Sequence, residues 1–112
     1  IVKDTIYLHG LWQSNPDDLT AQADGVVALG YTAESVNVVA FPGNDPIRMI
    51  VLRDGKYLDT EHAGTDVFFE GTKSLVLVDE PRLYNIIAGE YSTSVLTLRV
   101  TEGFGFNAFT FG

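Results

Sequence analysis

The sequence predicts an all-β domain, and three observations carry this prediction. Apolar and polar residues alternate in short runs along most of the chain. Turn-forming residues interrupt these runs about every 8–12 residues, a spacing typical of sandwiches and barrels. No window of a dozen residues combines a 3.6-residue apolar period with capping residues, so no long helix is expected.

Turn-forming residues mark the ends of the predicted strands. The segment Asn15-Pro16-Asp17-Asp18 ends the first strand, and the polar stretch up to Asp24 is predicted to be a loop or at most one helical turn. Proline cannot donate to a ladder, so Pro81 ends a later strand. In chain order the predicted strands cover Thr5–Trp12, Gly25–Thr32, Glu34–Phe41, Ile47–Arg53, Lys56–Leu58, Val67–Glu70, Ser74–Val78, Arg82–Ile87, Ser94–Val100 and Phe104–Phe111.

Two features of these strands predict specific contacts. Asp54-Gly55 is the strongest hairpin signal, because both central residues of a type I′ turn need positive φ angles. A second hairpin is predicted around Gly71. The closing strand carries four phenylalanines, whose exposure to water would be costly, so it is predicted to be a packed, interior strand.

Length and composition favour one folded domain. The chain has 112 residues, of which 46% are hydrophobic, and residues 1–112 are expected to form a single sandwich. It opens on Ile1-Val2 without an initiator methionine or a signal peptide. We therefore expect a domain excised from a larger protein whose targeting signal lies elsewhere.

Charge and cysteine content argue against several functions. The net charge of −8 would repel nucleic acid and anionic membrane surfaces. No apolar run approaches the roughly 20 residues that span a bilayer, so membrane insertion is not expected. Cysteine is absent, which excludes a thiolate nucleophile and a redox pair within this chain.

No catalytic, cofactor or metal site is predicted. His9 lies within a predicted strand and His62 in a loop, and both are interpreted as structural or solvated. Most acidic residues lie in turns, where they cap backbone groups. Oxygen-rich turns such as Asn15-Pro16-Asp17-Asp18 could hold calcium, but no EF-hand spacing is present.

Aromatic side chains and one arginine are the remaining ligand candidates. Arg82 and Tyr84 alternate around Leu83, so a core position for Leu83 would turn both outward. An exposed Arg–Tyr pair offers a donor fork and a stacking surface to a polyol or carboxylate, with Trp12 or Tyr31 nearby. In the alternative interpretation, Arg82 neutralises an acidic neighbour and Tyr84 packs under a loop.

Several short stretches together resemble the C-terminal domain of DipZ-type thiol–disulfide proteins. They occur in the family's order and span nearly the whole chain. They are Leu8-His9-Gly10-Leu11-Trp12, Tyr31-Thr32-Ala33-Glu34-Ser35-Val36-Asn37, Val51-Leu52-Arg53-Asp54-Gly55-Lys56, Ala63-Gly64-Thr65-Asp66-Val67, Val78-Asp79-Glu80-Pro81-Arg82-Leu83-Tyr84, Leu96-Thr97-Leu98-Arg99-Val100 and Ala108-Phe109-Thr110-Phe111-Gly112.

This resemblance implies a two-sheet antiparallel jelly-roll sandwich, similar to galactose-binding and carbohydrate-binding modules. It also implies a periplasmic or other extracytoplasmic location in bacteria and a preceding thioredoxin-like domain that holds the redox cysteines. We expect a non-catalytic accessory module that binds an envelope glycan or polyol. In the alternative, the domain docks the redox domain or its substrate proteins.

Overall fold

Twelve strands form the domain in a computed structural model that describes residues 1–112, and all named strand pairs are antiparallel. The strands are β1 (Ile6–His9), β2 (Trp12–Ser14), β3 (Leu19–Ala21), β4 (Gly25–Ala33), β5 (Val36–Phe41), β6 (Ile47–Arg53), β7 (Lys56–Tyr57), β8 (Val67–Glu70), β9 (Lys73–Val78), β10 (Arg82–Ile87), β11 (Ser92–Val100) and β12 (Gly105–Phe111). The predicted all-β fold is confirmed.

The strands are arranged in two sheets that face each other. One sheet has seven strands in the order β1-β4-β11-β6-β9-β8, with β7 paired to β6. The other has five strands in the order β10-β5-β12-β3-β2. Neighbours in each sheet are mostly distant in sequence, so the chain crosses repeatedly between sheets, as a jelly roll requires.

Alternation along the strands builds one hydrophobic core between the sheets. In β5, Val36, Val38 and Ala40 are fully buried while Asn37 and Val39 are only half-buried, as the period of two predicts. The largest buried side chains from both sheets are Leu29, Tyr31, Met49, Tyr84, Ile86, Ile87, Leu96, Leu98, Phe104 and Phe106.

The predicted first strand, Thr5–Trp12, is wrong in one respect. The chain forms two strands there, β1 in the larger sheet and β2 in the smaller, and it changes sheets at Gly10. Gly10 has φ +105°, and a Cβ there would lie 3.0 Å from the Asp24 carbonyl oxygen. Only glycine tolerates both conditions. The alternating pattern of Thr5–Trp12 therefore gives no sign that the chain turns from one sheet to the other at Gly10.

The polar stretch after Asp17 also differs from the predicted loop. Leu19–Ala21 forms β3, which pairs with β2 on one side and β12 on the other. Three residues are too few to show a period, so tertiary pairing rather than local pattern creates this strand.

Both predicted hairpins are present. Asp54 has φ 52° and Gly55 has φ 79°, the positive pair that a type I′ turn needs, and Arg53 pairs with Lys56 across the turn. Gly71, with φ 62°, joins β8 to β9.

The closing strand β12 is interior, as predicted, because it pairs with β5 and β3. A register shift between Phe106 and Ala108 changes the alternation. The rings of Phe106 and Phe109 therefore lie together, 5.7 Å apart between centroids, rather than on opposite faces.

Candidate functional site

The four residues predicted from sequence do not form a ligand site. Tyr84 and Tyr31 are both 0% exposed, so neither ring can meet a ligand on the surface. Leu83, the predicted core residue, is instead 48% exposed. The reason is the pairing register, which places Tyr84 opposite the buried Val38 and turns Leu83 to solvent.

Tyr84 has a structural role at the turn before β10. Its hydroxyl donates to the Glu80 carbonyl oxygen at 2.6 Å and accepts from the backbone N–H groups of Asp79 and Glu80, each at 3.2 Å. The Tyr84 ring therefore packs in the core among aliphatic side chains, while its hydroxyl forms hydrogen bonds with the backbone of the turn.

Arg82 follows the alternative interpretation. Its guanidinium pairs with Asp66 at 3.0 Å and with Glu80 at 3.5 Å, and it stacks over the Tyr84 ring 3.9 Å from the centroid. The hydrogen bond to Asp66 raises the pKa of Arg82. Partial burial opposes ionisation of Asp66, but hydrogen bonds from Arg82 and the Asn85 backbone prevail and lower the Asp66 pKa below its ordinary value.

Trp12 is half-buried and packs inward. Its indole N–H donates to the His9 carbonyl oxygen at 3.0 Å. Its ring meets Phe104 and Phe106 edge to face, with centroids 6.4 and 5.8 Å away. Trp12 therefore supports the Gly10 corner and the core beneath it, and the predicted four-residue ligand face does not exist.

The strongest candidate site is a cavity of about 330 Å³ at one end of the seven-stranded sheet. We call it the arginine cavity. Its lining residues are His9, Asp24, Gly25, Val26, Arg48, Ile50, Arg99, Val100 and Thr101.

Strand pairing builds the arginine cavity. His9 of β1 pairs with Val26 of β4, Val26 pairs with Arg99 of β11, and Arg99 pairs with Ile50 of β6. These residues alternate with core residues, so they lie on the outer face of the sheet. The Arg99 side chain thus lies between those of Val26 and Ile50, and His9 lies at the edge of the row.

Polar groups surround this aliphatic floor. Arg48 lies two residues from Ile50 along β6, which makes it a diagonal neighbour of Arg99 at roughly 7–8 Å. Asp24 and Thr101 flank the strand ends. An apolar floor with a few convergent polar groups is the usual form of a small-molecule site.

The sequence offered a partial signal for this cavity. Period two assigns Arg48 and Arg99 to the outer face, because each alternates with apolar residues in its strand. Their proximity depends on the order β4-β11-β6, which pairs strands far apart in sequence. His9, interpreted as structural or solvated, is exposed at the edge of the cavity.

Beside the arginine cavity lies an exposed apolar patch, formed by Phe68 and Leu77 beside the buried side chain of Leu75. The row of paired residues continues from Ile50 to Leu75 and from Leu75 to Phe68. Phe68 is 36% exposed and Leu77 41% exposed. The outer face of this sheet therefore joins a polar cavity to an apolar surface.

Other parts of the chain provide weaker candidates for a binding site. No group of three His, Asp or Glu side chains is placed to hold a metal ion. Asp18, in the turn considered for calcium, accepts a hydrogen bond from the Asn15 side chain. His62 contacts Asp59 at 2.7 Å, and this hydrogen bond lowers the pKa of Asp59. No helix in the structure has the length and apolar character needed to cross a membrane.

Comparison with protein families matches residues 1–112 to the thioredoxin-like C-terminal domain family. The chain belongs to this family. Membership confirms the expected relationship to the C-terminal domains of thioredoxin-like proteins, and it fits an accessory module. No curated protein sequence matches the chain significantly.

Solved structures confirm the sandwich expected of this thioredoxin-like C-terminal domain. A family two carbohydrate esterase from Clostridium thermocellum in complex with cellohexaose superposes with a TM-score of 0.70 and 17% identity, covering 96% of this chain and 31% of that chain. An active site mutant of a Clostridium thermocellum family two esterase gives a TM-score of 0.70 and 16% identity over 98% and 32% of the two chains. The domain thus corresponds to about a third of each esterase, and the likeness shows the fold alone.

Proposed function

We propose that this domain is a non-catalytic module that binds a glycan or polyol in the arginine cavity on behalf of a thiol–disulfide protein. The observation that carries the proposal is the cavity itself, which combines an aliphatic floor with convergent cationic and polar side chains. Val26 and Ile50 suit the C–H face of a sugar ring, while Arg48, Arg99 and Thr101 suit its oxygens.

The composition and the family of the domain support an accessory role. The domain has no cysteine, so thiol–disulfide exchange must be carried by another part of the protein. We infer that a thioredoxin-like domain precedes residue 1 and that the protein works outside the bacterial cytoplasm. The family and the resemblance to DipZ-type proteins support the first inference, and that resemblance alone supports the second.

Titration of the 112-residue domain with neutral and acidic oligosaccharides, followed by backbone amide NMR shifts, tests the proposal. Shifts at Val26, Ile50 and Arg99 are expected. The variant Ile50→Gln should weaken binding about tenfold, whereas Val39→Gln, an equivalent change on the outer face of the other sheet, should leave it unchanged. Absence of binding by every sugar, or equal effects of both variants, would overturn the proposal.

A second candidate function is docking of a protein partner, and the apolar patch favours it. Phe68 and Leu77 expose apolar surface beside the buried Leu75 on the outer face of the seven-stranded sheet. If docking is the function, adding the thioredoxin-like domain as a separate protein should shift the amides of the patch. The double variant Phe68→Ser and Leu77→Ser should abolish those shifts, and shifts confined to other surfaces would exclude this candidate.

A further inference from the structure

The arginine cavity holds the one arginine of this chain that has no partner. Arg48 pairs with Glu70, and Arg82 pairs with Asp66 and Glu80. Arg53 donates to the Tyr31 hydroxyl at 3.2 Å and to the Ser92 hydroxyl at 3.1 Å. Arg99 makes no side-chain hydrogen bond or ion pair.

The missing partner of Arg99 is notable because acidic residues are abundant. The chain has fifteen Asp and Glu residues against seven Lys and Arg, so a surface arginine has many opportunities to form an ion pair. Its neighbours across the sheet are instead Val26 and Ile50, neither of which can accept a hydrogen bond through its side chain. The guanidinium is left with its donors free at the cavity.

We propose that the arginine cavity selects sugars that carry a carboxylate, with Arg99 as the carboxylate-binding residue. This inference rests on the proposed function and names its ligand class. A guanidinium presents a planar fork that matches two carboxylate oxygens, and such charge-assisted bonds are about twice as strong as neutral ones. A neutral hydroxymethyl group at the same position would offer Arg99 only a neutral acceptor.

The other charges of the cavity favour a single negative charge on the ligand. Asp24 lines the cavity, and Glu70 already pairs with Arg48, so the two cationic side chains stand beside two anionic ones. A ligand with several charges would be repelled by these carboxylates and by the net charge of −8. A uronic acid has one carboxylate and an uncharged ring, which the aliphatic floor can accept.

The volume of the cavity limits how much of a ligand it can hold. Ligand pockets in proteins span about 300–1,000 Å³, and the arginine cavity, at about 330 Å³, lies at the small end. It suits a terminal sugar or a short segment rather than a long chain. The arrangement therefore favours recognition of one acidic sugar unit.

The methyl β-glycosides of glucuronic acid and glucose provide a matched pair of probes, because they differ only in the carboxylate. NMR titration of the 112-residue domain should show the glucuronoside binding about tenfold more tightly than the glucoside. The variant Arg99→Gln should reduce glucuronoside affinity to that of the glucoside and leave the glucoside unaffected. Arg99→Lys, which keeps the charge but loses the fork, should fall between them.

Lys73→Gln is the charge-matched control, since it removes one positive charge from an exposed strand residue outside the cavity. It should leave both affinities within twofold of the parent. Equal binding of the two glycosides, with shifts at Val26 and Ile50, would overturn carboxylate selection while the proposed glycan site stands. An equal loss in Arg99→Gln and Lys73→Gln would assign the effect to net charge and also overturn it. Absence of binding by either glycoside and by the wider oligosaccharide panel would overturn both proposals.

Discussion

Phe106 should be among the side chains on which stability depends most. It is 2% exposed, and its ring centroid lies 5.8 Å from that of Trp12, 6.1 Å from that of Phe104 and 5.7 Å from that of Phe109. Truncating a buried phenylalanine costs about 3–5 kcal/mol, and the three aromatic neighbours place this one near the middle of that range. We expect Phe106→Ala to lose about 4 kcal/mol of unfolding free energy.

A matched control lies at the end of the same strand. Phe111 is 43% exposed, and full burial of such a side chain stabilises a protein by about 1.5–3 kcal/mol, so Phe111→Ala should cost only about 1 kcal/mol. Urea denaturation followed by circular dichroism gives both values. Because Trp12 is the single tryptophan and touches the Phe106 ring, its fluorescence reports the same unfolding locally.

The expected loss for Phe106→Ala is a large part of the roughly 5–15 kcal/mol by which a domain is stable. It should lower the melting temperature by about 15 °C. Similar losses for the two variants would refute the reasoning, because they would mean that the interior position of β12 does not determine the packing of its rings.

Two further predictions concern the turn and the ion pair. Gly55→Val should lower the free energy of unfolding by about 1–2 kcal/mol, measured by urea denaturation. The cost comes from the positive φ alone, since a Cβ at this position meets no atom within 4 Å. Gly55→Asn should cost clearly less, and equal costs of the two variants would contradict the φ argument. Asp66→Asn should cost about 0.5–1 kcal/mol at pH 7, reduced by solvent screening of Arg82. Because the Asp66 pKa is lowered, its contribution is fully present above the ordinary value of 3.8 and is lost as pH falls below that value. The difference in stability between parent and variant should therefore shrink as pH falls below 3.8, and a constant difference would contradict this.

Local patterns predicted much of the fold because their causes are local. The Asp54-Gly55 turn depends on two φ angles, and the burial of Val36 and Val38 depends on alternation within β5. The same logic failed at Tyr84, where alternation correctly paired it with Arg82 but could not say which face was the core. Leu83 was expected to be buried, yet the pairing register places Tyr84 in the core, where its hydroxyl also accepts hydrogen bonds from the backbone N–H groups of Asp79 and Glu80.

The sequence by itself determined the all-β class and the absence of cysteine, because short-range periodicity and composition suffice for these two properties. The ordered set of short stretches gave the resemblance to thioredoxin-associated domains. Only the tertiary structure decided that the chain changes sheets at Gly10 and that β11 lies between β4 and β6. That order brings His9, Arg48 and Arg99 to one cavity from three segments that are some 40 to 50 residues apart in the chain. Antiparallel pairing between distant strands is set by the core as a whole, so no local pattern reveals which outward side chains will meet.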